Sequence, residues 1–245
     1  MASAQDFERV WVHLLDDFMP GEPMSRSCGF VKENKADLGK GWKTLYKAFI
    51  KPMLSKGTSV IAVNDKDEIV GKQLISFWIE RRVYLTYVKG MKIGRAVANT
   101  DKKDPALPTA TMIKYFSKIM SKRWIKFMLM GDALKDVMHY NPHMVMEEQE
   151  IKKVFMGEIL AVAESARGMR LGTALTLQSM ELAKEKECEG YFAGLTGIYS
   201  QKIYRELDFS FEKELIYAEF KDKDGNIPFH DTLEHTSMKT AFKKL

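Results

Sequence analysis

Apolar residues at Phe7, Val10, Trp11, Leu14, Leu15 and Phe18 follow the three-and-four spacing of one buried helical face. Pro20-Gly21 is a breaker pair and should end that helix. Trp42, Leu45, Phe49 and Met53 predict a second amphipathic helix, with Pro52 near its end. Ser59 to Val63 and Ile69 to Trp78 read as strands, and the polar run Asn64 to Asp67 supplies a hairpin turn between them. Arg82 to Val88 is a candidate third strand. Downstream the pattern alternates: strand at Lys153–Val162, helix at Leu171–Glu185, strand at Tyr191–Leu195, helix at Ser200–Leu207 and strand at Phe209–Phe220. Asp222 to Asn226 reads as a turn into a last strand ending near Phe242. Alternating strands and helices behind a helical and hairpin half predict one mixed α/β domain over residues 1–245.

Between these halves, residues 99–108 are polar and loop-like, and 109–140 are helical in composition. The stretch from Met112 to Met156 carries 8 of the 16 methionines. A cluster of flexible, polarizable thioethers suits either an adaptable pocket wall or ordinary gap-filling in a core. Residues 109–150 are therefore expected to form a Met-rich helical insertion near a substrate site.

Composition narrows the function classes. The chain is 45% hydrophobic and 29% charged, which excludes a disordered or collagen-like protein. A net charge of +5 favours anionic partners mildly. Lys118, Lys122, Arg123 and Lys126 beside Trp124 and Phe127 are the nearest approach to a nucleic-acid stripe, and they read better as a solvated helix face. A small anionic ligand fits the charge as well as a polymer does. Cys28 and Cys188 cannot build a disulfide framework, no signal peptide is evident, and no apolar run is long enough to span a bilayer. A cytoplasmic monomer binding neither nucleic acid nor membrane is expected.

The segment Ile159–Leu175 carries the most chemistry. A buried strand enters a turn with Arg167, Gly168, Arg170 and Gly172, and a helix follows at once. Unpaired N–H groups at a helix N-terminus, with two arginines beside them, suit a pyrophosphate. The spacing is neither a P-loop nor a dinucleotide-binding fingerprint.

Arg-Gly-Met-Arg-Leu-Gly at 167–172 resembles the acetyl-CoA pyrophosphate loop of the GNAT superfamily of N-acetyltransferases, Arg/Gln-x-x-Gly-x-Gly/Ala. Tyr199 to Phe209, Tyr-Ser-Gln-Lys-Ile-Tyr-Arg-Glu-Leu-Asp-Phe, is similar to that superfamily's second cofactor-side motif, Tyr-Glu-x-Leu-Gly-Phe. Phe18 to Met24 resembles the Phe-x-x-Asp-Glu-Pro-Leu segment of insect-type arylalkylamine N-acetyltransferases, and the tail from Glu234 to Leu245 resembles their C-terminal strand. The sequence departs from these patterns at Gly21, at Arg170, which replaces the first loop glycine, and at Asp208.

The resemblance implies a mixed central sheet with a splayed strand, flanked by helices, and acetyl transfer from acetyl-CoA to a small primary amine, an arylalkylamine such as tryptamine, serotonin, dopamine or octopamine. An alkylammonium must lose a proton before it attacks. By resemblance Glu22 is the general base; the residue alone reads as a solvated turn carboxylate. Leu160, Ala161 and Val162 would line pantetheine. Arg167, Gly168, Met169, Arg170, Leu171, Gly172, Thr173 and Ala174 would hold the pyrophosphate. Tyr204 matches the leaving-thiolate proton donor, and Thr196 and Ser200 match a hydroxyl pair assigned to proton handling or substrate binding; helix capping is the alternative for that pair. Pro23, Met24 and His235 would border the amine, although a lone histidine in a strand is more often structural.

Other constellations fail. His139 and His143 are separated by Pro142 and lack the glutamate of a zinc protease, no Gly-x-Ser-x-Gly elbow exists, and no metal is implied. Two alternatives stay open: an agmatine, polyamine or protein-lysine acetyltransferase on the same fold, and a catalytically idle CoA-binding protein.

Overall fold

The computed structural model describes residues 1–30, 43, 47, 50–79, 142–222 and 224–245, without the side chains of 77–79 and 143. The N-terminal periodicity folds as helix α1 (Phe7–His13), running directly into a π-helical turn at Leu14–Phe18. The buried face is therefore continuous, but its winding changes at His13. A short helix α2 (Pro23–Ser27) follows the Pro20-Gly21 break, with Pro23 at its first turn, where a missing N–H costs nothing. Residues 50–55 are helical and bury Ile50, Met53 and Leu54. Trp42, Leu45 and Phe49, the Arg82–Val88 strand and 109–141 of the Met-rich segment lie outside the described residues.

Strands β1 (Val60–Val63) and β2 (Ile69–Ile79) form the expected antiparallel hairpin. Asn64 shapes its turn, its side-chain oxygen accepting from the Lys66 and Glu68 N–H groups. Helix α3 (Pro142–Glu148) then leads to β3 (Lys153–Val162), α4 (Leu171–Glu185), β4 (Gly190–Leu195), α5 (Ile198–Glu206), β5 (Ser210–Ile216) and β6 (Ser237–Lys244). Among the described residues the sheet has six strands in the order β1-β2-β3-β4-β6-β5. Of these, β3 and β4 run parallel and the other neighbouring pairs antiparallel, and α4 makes the crossover between β3 and β4.

Two features depart from the predicted strands. The long strand expected over Phe209–Phe220 ends at Ile216, where the chain turns so that Phe220 N–H bonds the Ile216 carbonyl. The Asp222–Asn226 turn is present, Asp222 Oδ1 accepting from the Asp224 and Asn226 N–H groups. It leads not straight into a strand but through residues 227–236, after which β6 inserts between β4 and β5.

The sheet separates two apolar layers. One packs α1, α2 and the 50–55 helix on Leu74, Ile159 and Met238; the other packs α4 and α5 on Ile75, Phe155, Tyr191 and Ala241. Met146 and Met156 sit in a third, small cluster with Phe192 and Phe242, so these two methionines fill core rather than line a pocket. Among the described residues, no helix is long and apolar enough to cross a membrane.

Candidate functional site

The central feature is a parting of strands. β3 and β4 pair only from Val154/Gly190 to Gly157/Ala193, although β3 runs on to Val162 and β4 to Leu195. Each stays paired on its other side, β3 with β2 up to Gly71↔Val162 and β4 with β6 up to Leu195↔Lys239. The sheet thus opens as a wedge beyond Gly157. Ala163 N–H bonds the Val70 carbonyl across β2. Strand alternation then turns the N–H and C=O groups of Leu160 and Val162 toward the opening, where they meet no strand partner among the described residues. A β-bulge at Leu74/Ile75 leaves Glu158 as the extra residue, and its carboxylate accepts from Ser76 Oγ at 2.5 Å.

At the wide end of the wedge, β3 runs through a 3-10 turn at Glu164–Ala166 into the arginine-glycine loop and α4. Gly168 has φ +78° and Arg170 has φ +57°, so two left-handed residues curl the backbone round the helix N-terminus. Arg170 is the N-cap without any side-chain cap bond, and the first intrahelical bond is Ala174 N–H to its carbonyl. The N–H groups of Leu171, Gly172 and Thr173 precede it, the orphan donors that suit an anion. Arg167, Met169 and Arg170 are exposed around them. Gly172 has a packing reason: a Cβ there would lie 2.7 Å from Ile203 Cδ1, so the glycine lets α4 close on α5.

Tyr204 stands beneath the apex of the wedge. It is fully buried, and its hydroxyl shares a polar cluster with Gln73, Thr176 and Tyr191, to which Ser179 Oγ adds a 2.9 Å bond from Tyr191. A Cβ on Gly157 would sit 2.9 Å from the Tyr204 hydroxyl, so this glycine admits the cluster at the point where the strands part. Burial pushes the Tyr204 hydroxyl up to about 12, so it keeps its proton at neutral pH.

Glu22 lies on the other layer. It is the buried N-cap of α2: Oε1 accepts from Met24 N–H at 3.0 Å, and Oε2 from Ser25 N–H and Ser25 Oγ, both at 2.7 Å. The solvated-turn alternative therefore does not hold. Its charge adds to burial in raising the Tyr217 hydroxyl well above the usual tyrosine range. Tyr217 donates in turn to the Thr196 carbonyl at 2.6 Å, so Glu22 and the end of β4 face one buried phenol. Phe229 stacks on Tyr217 at 4.4 Å, and Met24 packs against the same layer beside the buried Pro23. Arg26 closes this side with a bidentate pair to Asp231, Nε to Oδ1 at 3.0 Å and Nη2 to Oδ2 at 2.7 Å.

The turn between β4 and α5 gathers the remaining candidates. Thr196 is half-buried and Ser200 donates to the Gly197 carbonyl at 2.9 Å, a back-bond within the helix start rather than a cap. His235 is buried over Gly197 and accepts the Ile198 N–H at Nδ1, 3.3 Å, so it serves the first turn of α5. Its ring meets exposed Tyr199 edge-on at 5.8 Å, and Tyr199 bonds Glu234 within the field of Arg167. The structure thus gathers Thr196, Ser200 and His235 at one turn and links that turn to Glu22 through Tyr217. Tyr204 and the arginine-glycine loop lie on the α4–α5 side. Sequence reasoning missed Tyr217, Gln73 and Gln201; the last donates to the Leu195 and Ser237 carbonyls at 3.3 and 2.8 Å. Nothing in their local pattern marks them, because each acquires its role from a distant strand end.

Among the described residues, no group of three or more His, Cys, Asp or Glu side chains could hold a metal ion. Cys188 is buried and its thiol is pushed up to about 11 by that burial, which removes its nucleophilic form.

No family model and no curated protein matches the chain. Solved structures do. Arylalkylamine N-acetyltransferase 2 from Aedes aegypti superposes with a TM-score of 0.72 at 20% identity, over 99% of this chain and 95% of that one. The Drosophila melanogaster polyamine N-acetyltransferase, which forms N-acetylagmatine, superposes at 0.69 and 16% identity, over 100% and 98%. The C-terminal condensation domain of Ebony, in complex with β-alanyl-dopamine, superposes at 0.56 and 13% identity, over 99% and 95%. The chain has the GNAT fold these N-acetyltransferases share, as the sequence motifs implied.

Proposed function

We propose that this protein transfers acetyl from acetyl-CoA to a small primary amine, most favourably an arylalkylamine. The observation that carries this reading is the wedge between β3 and β4 opening directly onto the arginine-glycine loop at the α4 N-terminus. An extended pantetheine arm bonds along free strand-edge amides, and a pyrophosphate suits orphan helix N–H groups; here the two features are consecutive along the chain.

In this reading Leu160, Ala161 and Val162 line pantetheine. Arg167 to Ala174 hold the pyrophosphate, through the N–H groups of Leu171, Gly172 and Thr173 and the charges of Arg167 and Arg170. The amine enters on the Glu22 side, where Pro23, Met24, Tyr217 and Phe229 give an apolar and aromatic border. Glu22 takes the ammonium proton directly or through water, and the free amine attacks the thioester carbonyl. The C–N bond forms, an oxyanion develops near the Val162 N–H, the nitrogen releases its second proton to solvent, and the C–S bond breaks as the carbonyl re-forms. Tyr204 keeps its proton and is the donor for the departing thiolate, with Thr196 and Ser200 at the β4 end as the alternative hydroxyls.

A second reading, an agmatine or polyamine acceptor, is favoured by one observation. Glu234, beside Tyr199 and His235 at the β4–α5 turn, offers a second carboxylate to the far end of a dication.

Thiol release from acetyl-CoA, assayed with tryptamine, serotonin, dopamine, octopamine, agmatine, spermidine and a lysine peptide, separates these readings. Turnover with the aromatic amines is expected. Turnover confined to agmatine and spermidine replaces the acceptor, and acetyl-CoA binding without any turnover leaves a CoA-binding protein. In Glu22→Gln, kcat/KM should fall most at neutral pH and recover at high pH, where the amine needs no base; an unchanged pH–rate profile removes Glu22 from the mechanism.

A further inference from the structure

The α1 layer buries a cluster of titratable side chains that the proposed chemistry does not use. Lys72, on β2, is 0% exposed, and its Nζ lies 2.6 Å from Nδ1 of His13, itself 4% exposed. Among the described residues, His13 Nε2 has no hydrogen-bond partner, and it faces Asp17 Oδ2 at 3.9 Å. Asp17 Oδ1 accepts the Glu164 N–H at 3.3 Å. The groups facing this pocket are therefore His13 from α1, Asp16 and Asp17 from the π-helical turn, and Lys72 from β2.

Their placement is specific. Lys72 pairs with Ala161, one residue from the end of β3, and Glu164 opens the turn that leads into the arginine-glycine loop. From His13 the chain runs through the π-helical turn, a winding often found at functional sites, and then into Glu22. One cluster thus touches both the segment that delivers the base and the strand end that delivers the anion-binding loop. Stability does not account for it. A buried amine with no carboxylate in contact among the described residues is expensive, and an apolar side chain of similar length would pack there without that cost.

We propose that Lys72, His13 and Asp17 are positioning residues that fix the Glu22 loop against the arginine-glycine loop, keeping amine and thioester in register. The proposal rests on the acyl-transfer reading above and is tested with the full-length protein by melting temperature, acetyl-CoA affinity and steady-state kinetics. Lys72→Met is expected to melt at or above the wild type yet lose roughly ten- to a hundredfold in kcat/KM, the scale of a small misplacement of reacting groups. Asp17→Ala should weaken acetyl-CoA severalfold and lower kcat. Asp17→Asn keeps an acceptor for the Glu164 N–H and should restore the affinity. Wild-type kinetics and affinity in both Lys72→Met and Asp17→Ala overturn the proposal, as does a loss of melting temperature with kinetics intact. If Lys72→Met fails to fold, the half-exposed Asp17 pair decides. A wild type that binds acetyl-CoA but turns over no amine overturns the acyl-transfer reading, and the affinities of the Asp17 pair still test the coupling. A wild type that binds no acetyl-CoA overturns both.

Discussion

Arg170 carries two opposed effects on one residue. Its φ of +57° is the left-handed region, where an L side chain costs about 1–2 kcal/mol relative to the preferred backbone. The guanidinium is exposed beside the orphan N–H groups of α4, where its charge favours a pyrophosphate. Arg170→Gly should therefore stabilise the fold by up to about 1 kcal/mol, the gain being trimmed by the freer unfolded chain, while weakening acetyl-CoA severalfold and flattening its salt dependence. Thermal melts and acetyl-CoA KM at several ionic strengths check both halves; a KM that does not move would mean the side chain leaves the phosphates alone. The sequence showed the substitution but not its backbone angle, since only the folded loop reveals that the superseded glycine position is left-handed. Tyr204 is the converse case. Its motif was readable, whereas the cluster of Gln73, Thr176 and Tyr191 that holds its hydroxyl was not, because β2, α4 and β4 meet only after folding. Tyr204→Phe should lower kcat and cost about 1–3 kcal/mol of stability, as buried partners are left short of a bond.

At the scale of elements, boundaries that follow hydrophobic pattern were legible and those set by long-range pairing were not. β3 and α4 occupy the predicted Lys153–Val162 and Leu171–Glu185, since a buried apolar run and a glycine-arginine turn are local signals. The π-helical turn at Leu14–Phe18 was invisible, because its apolar spacing is that of an α-helix. The early end of β5 was equally hidden, since Tyr217 and Phe220 stay apolar while leaving the sheet to pack on Phe229 in the α1 layer. The Arg26–Asp231 pair joins α2 to residues 227–236 across 205 positions, and no local pattern announces it. In the proposed reading that pair braces the amine side, not the cofactor side. Arg26→Lys loses the planar two-bond geometry, so the amine KM should rise severalfold with the acetyl-CoA KM nearly unchanged, at a stability cost of about 1 kcal/mol. Equal rises in both would show that the strap braces the whole wedge.

For the whole molecule, the sheet order brings together what the sequence spreads from residue 13 to residue 235, and acid should expose the cost of that arrangement. Burial, with the neighbouring Lys72, lowers His13 from 6.5 to about 4, and Lys72 is itself held well below the usual lysine value by burial. Above pH 6.5 His13 is neutral folded and unfolded, so it adds no penalty. Below 6.5 the unfolded chain takes up a proton that the folded chain refuses, and stability falls as pH drops toward 4. Lys72 acts with the same sign, because the unfolded lysine stays protonated where the buried one does not. Carboxylates lose their contribution lower. Glu214, held low by Ser237 and Lys239, and Asp222, held low by the Asn226 N–H, titrate below their ordinary values of 4.5 and 3.8. Melting temperature measured from pH 8 to pH 4 should therefore fall more steeply below pH 6.5, where the cost at His13 joins that at Lys72, before Glu214 and Asp222 protonate. In His13→Gln, which has no ring to charge, the decline between 6.5 and 5 should be shallower. A wild-type curve flat down to pH 5 would mean that the α1 layer opens to admit the proton without loosening the wedge it supports.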